Sequence, residues 1–410
     1  MDQVQEIKNR LNIVDVAREY IPQMKQLGTN WKALCPFHTE KTPSFMISED
    51  KQIWHCFGCG EGGDVFEFVK RIENVDFSES LRMLAQKAGV VLQKQDPKLL
   101  DLKSRLLDMH QEATKFYMAH LWQTTAGKQV LLYLENRGLS EETIKKWRLG
   151  YAPQGFDKLS GHLKKAGYAE HEIKQSGLVV VKERGDYFDR FHERLMFPLT
   201  DTHGQIVGFT GRLLVDKKDQ GKYVNSPQTI LYNKSYILYG LAQGKDEIKS
   251  QGKVVLVEGQ MDVLQAQQAG FTNVVASSGT ALTSEQLDIL KRYAREIIFA
   301  FDADGAGEKA ILRSTDLALK SGWKCLVLLL PAGEDPDSFI KKDSTGWQHA
   351  ISNAQEVMEY FFDHYVAVYT LDTLDGKKQI AKALLALIAK LPDPIERDFY
   401  IQKLSGVANI

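Results

Sequence analysis

Three apolar runs in the second half of the chain each end in acids, and this pattern restricts the possible folds more than any other feature. Lys253–Val257 leads into Glu258-Gly259, with Asp262 close behind. Glu296–Phe301 leads into Asp302-Ala303-Asp304-Gly305, and Lys324–Leu330 into Pro331 and then Glu334-Asp335-Pro336-Asp337. Helical patterns fill the gaps over 260–269, 284–294 and 306–319, and a further short strand covers 272–276. Strands alternating with helices predict a parallel sheet with right-handed crossovers. Such open sheets bind ligands at the carboxyl ends of their strands. Carboxylates gathered there repel one another unless cations neutralise them. A site for hard divalent metal is the expectation.

The rest of the chain sets the frame. Its 410 residues leave room for two or three domains, and a hydrophobic content of 43% with 26% charged residues is that of an ordinary globular protein. No apolar run is long enough to span a membrane, and Met1-Asp2-Gln3 opens no signal pattern. No membrane partner and a cytoplasmic location are expected.

Cys35-Pro36-Phe37-His38 and Cys56-Phe57-Gly58-Cys59 form a C-x2-H…C-x2-C pattern. Three thiolates and one imidazole suit one tetrahedral zinc ion, and a site filled by four protein ligands is structural. His55 is a rival ligand, but it adjoins Cys56. The stretches 44–47 and 52–55 read as a hairpin, making this a zinc ribbon. Trp31, Phe37, Phe45, Trp54 and Phe57, mixed with Lys32 and Lys41, have the composition of a single-strand stacking surface, with about half expected in the ribbon's own core. One amphipathic helix is expected over 4–20, further helices over 64–71 and 77–88, and a linker over 94–98.

A long helical pattern covers 99–122. Thr124-Thr125-Ala126-Gly127-Lys128 lacks the first glycine of a phosphate loop and is set aside. From 137 to 241 there are 17 Lys and Arg against 12 Asp and Glu. Alternating apolar runs with glycine turns predict an antiparallel element there, with cations at strand ends that could track phosphates. Lys217 and Lys218 read as a solvated loop. Helical patterns resume over 350–369, 377–391 and 394–404.

Glu-Gly after one strand and Asp-x-Asp-Gly after a later one resemble the Toprim domain of topoisomerases, small nucleases, recombination proteins and primases. The N-terminal ribbon resembles the zinc module of bacterial primases. Glu193-Arg194…Phe197-Pro198…Gly208-Phe209-Thr210-Gly211-Arg212…Lys222-Tyr223-Val224-Asn225-Ser226-Pro227…Lys234…Leu238-Tyr239-Gly240 resembles the same family's core signature. Together these resemble the bacterial replicative DNA primases of the DnaG type, from about Cys35 to Phe339.

The resemblance implies a multidomain α/β chain: a zinc-binding domain over 1–98, a mixed, basic α/β subdomain over 99–241, a Rossmann-like Toprim subdomain over 242–345 and a helical subdomain over 346–410. It implies synthesis of RNA primers from ribonucleoside triphosphates on single-stranded DNA at bacterial replication forks, with an RNA–DNA hybrid as product. Glu258, Asp302 and Asp304 become the principal ligands of two or more Mg2+ or Mn2+ ions, Asp335 and Asp337 extend the site, and Asp262 orients it. Arg137, Arg190, Arg194, Arg212, Lys222 and Lys234 become a basic ridge for template and triphosphate, joined by Asn225. Gln260 stands where the family usually has an aromatic, with no effect on chemistry expected. The replicative helicase is the family's partner, and its binding domain is expected to be absent here. The competing readings are a Toprim nuclease or topoisomerase, and a non-catalytic zinc-ribbon protein.

Overall fold

The computed structural model describes residues 3–73, 75, 77–90, 97–215, 221–279, 282–301, 305–331 and 333–408. The chain divides into two compact units, Met1–Leu99 and Leu100–Ile410.

In the first unit, the single helix expected over 4–20 is two helices, Gln3–Arg10 and Ile13–Tyr20. Asn12 separates them. Its side-chain oxygen accepts the Val14 N–H at 2.9 Å, capping the second helix and competing with continuation of the first. The ribbon has more strands than the expected hairpin: β1 (Lys25–Leu27), β2 (Asn30–Ala33), β3 (Phe45–Ser48), β4 (Ile53–Cys56) and β5 (Gly62–Gly63) form one antiparallel sheet in chain order. Phe45 and Trp54 are buried and stack at 5.3 Å, with Phe37 and Phe68 packed around them. Trp31 packs under Arg18, while Phe57 is 71% exposed. The aromatics therefore divide between core and surface. The expected linker falls largely on 94–96, outside the described residues.

Helix Pro97–Gln123 lies almost wholly in the second unit, and helix Thr125–Asn136 follows it. Gly127 and Lys128 lie inside the latter helix, which Thr124 caps, so they form no phosphate loop. Six strands follow: β6 (Gly150–Ala152), β7 (Val179–Val181), β8 (Tyr187–Asp189), β9 (Arg194–Thr200), β10 (Ile206–Leu213) and β11 (Tyr223–Asn225). The expected antiparallel element is the sheet β11-β10-β9-β6, and β7 and β8 make a separate ribbon. One face of β9 and β10, through Met196, Ile206 and Phe209, packs on Leu106, Met109 and Tyr117 of the long helix. The other face, through Leu195, Phe197, Leu199 and Val207, joins the core of the next layer.

That layer is the acid-tipped sheet: β12 (Lys253–Val257), β13 (Val274–Ala276), β14 (Glu296–Phe299), β15 (Lys324–Val327) and β16 (Gln355–Glu356), in the order β13-β12-β14-β15-β16. The first four are parallel. β16 is antiparallel to β15 and interrupts the helix expected over 350–369, leaving helices Ser344–Ser352 and Val357–Val368. Both sheet faces are covered, which is why the strands read as unbroken apolar runs. Val255 and Val257 face helix Gln260–Gln268 and the antiparallel sheet, while Val254 and Leu256 face the helices of the C-terminal segment.

Candidate active site and zinc centre

The parallel register aligns the strand ends. Leu256 pairs with Phe299, and Phe299 with Val327, so Glu258 follows β12 at the same edge where β14 and β15 run out. The chain leaves β12 for β13 on one side and later returns to place β14 on the other. The gap between β12 and β14 is thus a topological switch point, where open sheets of this type hold ligands. Glu258 is half-buried there. Asp302 and Asp304, expected to complete the acid set, lie outside the described residues. Asp262 caps its own helix by accepting the Gly259 N–H at 2.9 Å, which fixes the turn carrying Glu258.

Asp335 caps helix Pro336–Lys342 by accepting the Ser338 N–H at 2.7 Å. Asp337, in that helix's first turn, is 4% exposed and ion-paired with Arg137. Burial alone would lower the Arg137 pKa, but this carboxylate outweighs it and raises it. The other Asp337 oxygen, Oδ1, is buried without a hydrogen-bond partner. Glu334 instead pairs with exposed Lys342 at 3.0 Å.

The cations expected to form one ridge occupy different environments. Arg212 lies over the rings of Tyr133 (5.5 Å) and Tyr223 (5.7 Å), and Arg137 reaches the Tyr133 hydroxyl. Tyr223 is also within electrostatic range of Asp262 and Arg137, which brings β11, the acidic edge and the Arg137–Asp337 pair together. Lys222 is exposed, and Lys234 is half-buried with its pKa lowered by that burial. Arg190 donates to the Gly177 carbonyl at 3.0 Å. Among these cations Arg194 is the buried one. It is 3% exposed, and its Nη1 donates to the carbonyls of Gly211, Gly221 and Lys222. These contacts tie β10 to the residues that lead into β11. Gly211 permits this, since a Cβ there would lie 2.9 Å from both Arg194 and Phe191.

Asn225 is tied to the acidic edge through two buried side chains. Gln260 Nε2 donates to Thr210 Oγ1 at 3.3 Å, and Thr210 donates to Asn225 Oδ1 at 2.6 Å. Neither Gln260 nor Thr210 was singled out by its chemistry in the sequence, although Thr210 lies inside the quoted signature.

In the first unit, one donor atom each from Cys35, His38, Cys56 and Cys59 all lie within 4.8 Å of one another. Tetrahedral zinc–thiolate bonds of ~2.3 Å place ligands about 3.7 Å apart, so small adjustments close the set. His38 turns Nδ1 toward Cys56 Sγ (3.8 Å) and Nε2 toward Glu40 (3.4 Å). Glu40 also accepts from the Cys35 and Ser44 N–H groups and from the Ser44 hydroxyl. Spacing revealed the ligands but not this carboxylate, two residues beyond His38. A Cβ on Gly58 would lie 2.7 Å from His38 Nε2 and from Ser44 Oγ, so the Cys56–Cys59 loop needs glycine at that position. Burial pushes the Cys35 thiol up to about 12. At Cys56 burial also acts upward, but hydrogen bonds from Ser44 and the Cys59 and Gly58 backbones outweigh it and bring the thiol to about 7. His55 is absent from this cluster and packs edge-on against Phe57.

Known protein families match successive stretches of the chain. Residues 1–99 match the CHC2 zinc finger, 116–245 the N-terminal domain of the DNA primase catalytic core, and 255–340 the Toprim-like family. A DNA primase of Clostridium acetobutylicum is 37% identical over 100% of this chain and 68% of its own length. The chain belongs to the DNA primase family. A primase of Enterococcus faecalis is 36% identical over 98% of this chain and 66% of its own length, so the chain spans about two thirds of these relatives. A crystal structure of the Aquifex aeolicus primase, comprising zinc-binding and RNA polymerase domains, covers 100% of this chain and 98% of that one, with a TM-score of 0.65 and 29% identity. A DnaG primase catalytic domain bound to single-stranded DNA covers 75% of this chain and 99% of that one, with a TM-score of 0.64 and 30% identity. One expectation is overturned: residues 358–410 match the DnaB-helicase binding domain of primase, the module taken to be absent. Among the described residues no helix is long and apolar enough to cross a membrane.

Proposed function

We propose that this chain is a DNA-templated RNA polymerase that makes short RNA primers on single-stranded DNA. The observation that carries the reading is Glu258 at the β12–β14 switch point, set beside the β10–β11 edge that bears Arg212 and Asn225. The residues fit divalent metal. Asp337 keeps a buried carboxylate oxygen with no protein partner, an arrangement that favours a nearby cation. Glu258, Asp302 and Asp304 would hold two or more Mg2+ or Mn2+ ions, with Asp335 and Asp337 beside them. Bound there, the metal ions lower the cost of an attacking 3′-alkoxide and of gathered triphosphate charge.

The protein's own side chains hold the substrates. Arg212, kept flat by Tyr133 and Tyr223, presents a planar donor fork to phosphate. Exposed Lys222 and half-buried Lys234 add charge for the template backbone and the incoming triphosphate. Asp262 fixes the Glu258 turn, and Arg137 is itself fixed by Asp337. Cys35, His38, Cys56 and Cys59 would hold a zinc ion that stabilises the N-terminal unit, where exposed Phe57 beside His55 offers a base-stacking surface for template. The helicase contact is assigned to the C-terminal helices. A groove of ≈ 580 Å3 there, lined by Ile395 and Phe399, lies at the amino end of β15, away from the acids.

Incubating the chain with single-stranded DNA, ribonucleoside triphosphates and Mg2+ tests the reading. Template-dependent oligoribonucleotides are expected. Strand cleavage or DNA relaxation without RNA products would favour a Toprim nuclease or topoisomerase instead.

A further inference from the structure

Gln260 departs from the aromatic usual in the family, and the fold gives it a defined task. It is 4% exposed on the first turn of the helix after Glu258. Thr210, 1% exposed, belongs to the other sheet of the same unit, and Asn225 sits half-buried on β11 beside it. The bonds between them have a direction. An amide nitrogen only donates, so Gln260 Nε2 occupies Thr210 Oγ1 as acceptor, at 3.3 Å. The Thr210 hydroxyl then spends its single proton on Asn225 Oδ1, at 2.6 Å. With Oδ1 engaged by Thr210, Nδ2 and its two protons are the donors that Asn225 can present to a ligand.

We infer that Gln260 is a positioning residue: by donating to Thr210 it directs the Thr210 proton onto Asn225 Oδ1 and so favours the Asn225 amide donors toward the substrate. The oxygens of a ribonucleoside triphosphate are mainly acceptors, so donors facing them attract where a carbonyl would repel. This inference rests on the polymerase reading above.

Carboxylate replacement reverses the chain of bonds. In Gln260→Glu the side chain accepts the Thr210 proton, Thr210 Oγ1 then accepts from Asn225 Nδ2, and Asn225 turns its carbonyl outward. In Gln260→Met no bond reaches Thr210, which keeps its bond to Asn225. The experiment measures priming on single-stranded DNA at saturating Mg2+, with KM for ribonucleoside triphosphate and kcat determined separately. Thermal unfolding checks that each variant is folded. Loss of one charge-facing hydrogen bond is worth about tenfold, so Gln260→Glu is expected to raise KM about that much, with a smaller change in kcat. Gln260→Met should raise it no more than about threefold, as for a weak neutral bond.

Thr210→Val separates relay from charge, because it cuts the chain between the two amides. In the Gln260→Glu, Thr210→Val double variant the extra KM penalty of the glutamate should vanish relative to Thr210→Val alone. Equal KM shifts for the Glu and Met variants, or a glutamate penalty that survives in the double variant, would overturn the inference. Failure of the unaltered chain to make RNA would instead overturn the polymerase reading.

Discussion

At the zinc centre a single carboxylate decides how the ligands are presented. Glu40 lies 3.4 Å from His38 Nε2 and accepts from Ser44 Oγ, which also contacts Cys56 Sγ at 3.1 Å. An acceptor on the far nitrogen fixes the imidazole tautomer and makes the ligating nitrogen more basic. Glu40→Gln should therefore weaken zinc binding by about 10- to 100-fold, with Cys and His ligation retained. Competition against a chromophoric chelator measures it; unchanged affinity would show that Glu40 only braces the loop. Sequence spacing was enough to find Cys35, His38, Cys56 and Cys59, because short-range ligand pairs are local in the chain. Asp337 and Arg137 were also legible as charged residues, but their pairing was not. They are 200 positions apart, and only the packing of two helices brings them together.

The seam between helix Pro97–Gln123 and the antiparallel sheet contains a buried histidine that makes folding sensitive to acid. His110 stacks on Phe209 of β10 with ring centroids 5.9 Å apart, and its Nε2 has no hydrogen-bond partner. Burial lowers its pKa to about 4, against a backbone hydrogen bond that acts upward. The unfolded chain, with an ordinary imidazole near 6.5, binds this proton more readily. Stability from this group is therefore complete above about pH 6.5 and is lost as pH falls toward 4. At pH 5 the loss relative to pH 7.5 comes to about 2 kcal/mol. Urea unfolding of the chain and of His110→Gln at the two pH values tests this, and the glutamine variant should lack that increment. An equal pH dependence in both would place the acid sensitivity elsewhere. At this scale the parallel strands were readable because both faces are buried and their apolar runs are continuous. β16 was not: two residues flanked by helical patterns carry no period of their own, and only pairing with β15 makes them a strand.

The whole molecule consists of two units that meet different physical demands. Met1–Leu99 has a core built around Phe45, Trp54 and Phe68 beside the Cys35, His38, Cys56 and Cys59 cluster, whereas Leu100–Ile410 has large cores on both sides of the acid-tipped sheet. Removing zinc with a chelator should unfold the first unit, leave the second resistant to proteolysis, and abolish priming on a template. Retained priming after full zinc removal would show that the ribbon is dispensable. The acidic switch point was visible in the sequence as three strand ends, and the ribbon as two ligand pairs. What was not visible was how the β10–β11 edge meets the acids, since Gln260, Thr210 and Asn225 are joined only in the folded chain.

If carboxylates at the β12–β14 switch point support metal-dependent RNA synthesis, Glu258→Gln must impair it. The substitution keeps shape and removes one ligand charge. Primer synthesis at fixed Mg2+ and binding to a labelled single-stranded DNA should be measured side by side. Synthesis is expected to fall by about 100-fold or more, as for removal of a group stabilising transition-state charge, with DNA binding within about threefold. Synthesis by Glu258→Gln at the rate of the unaltered chain would contradict this expectation.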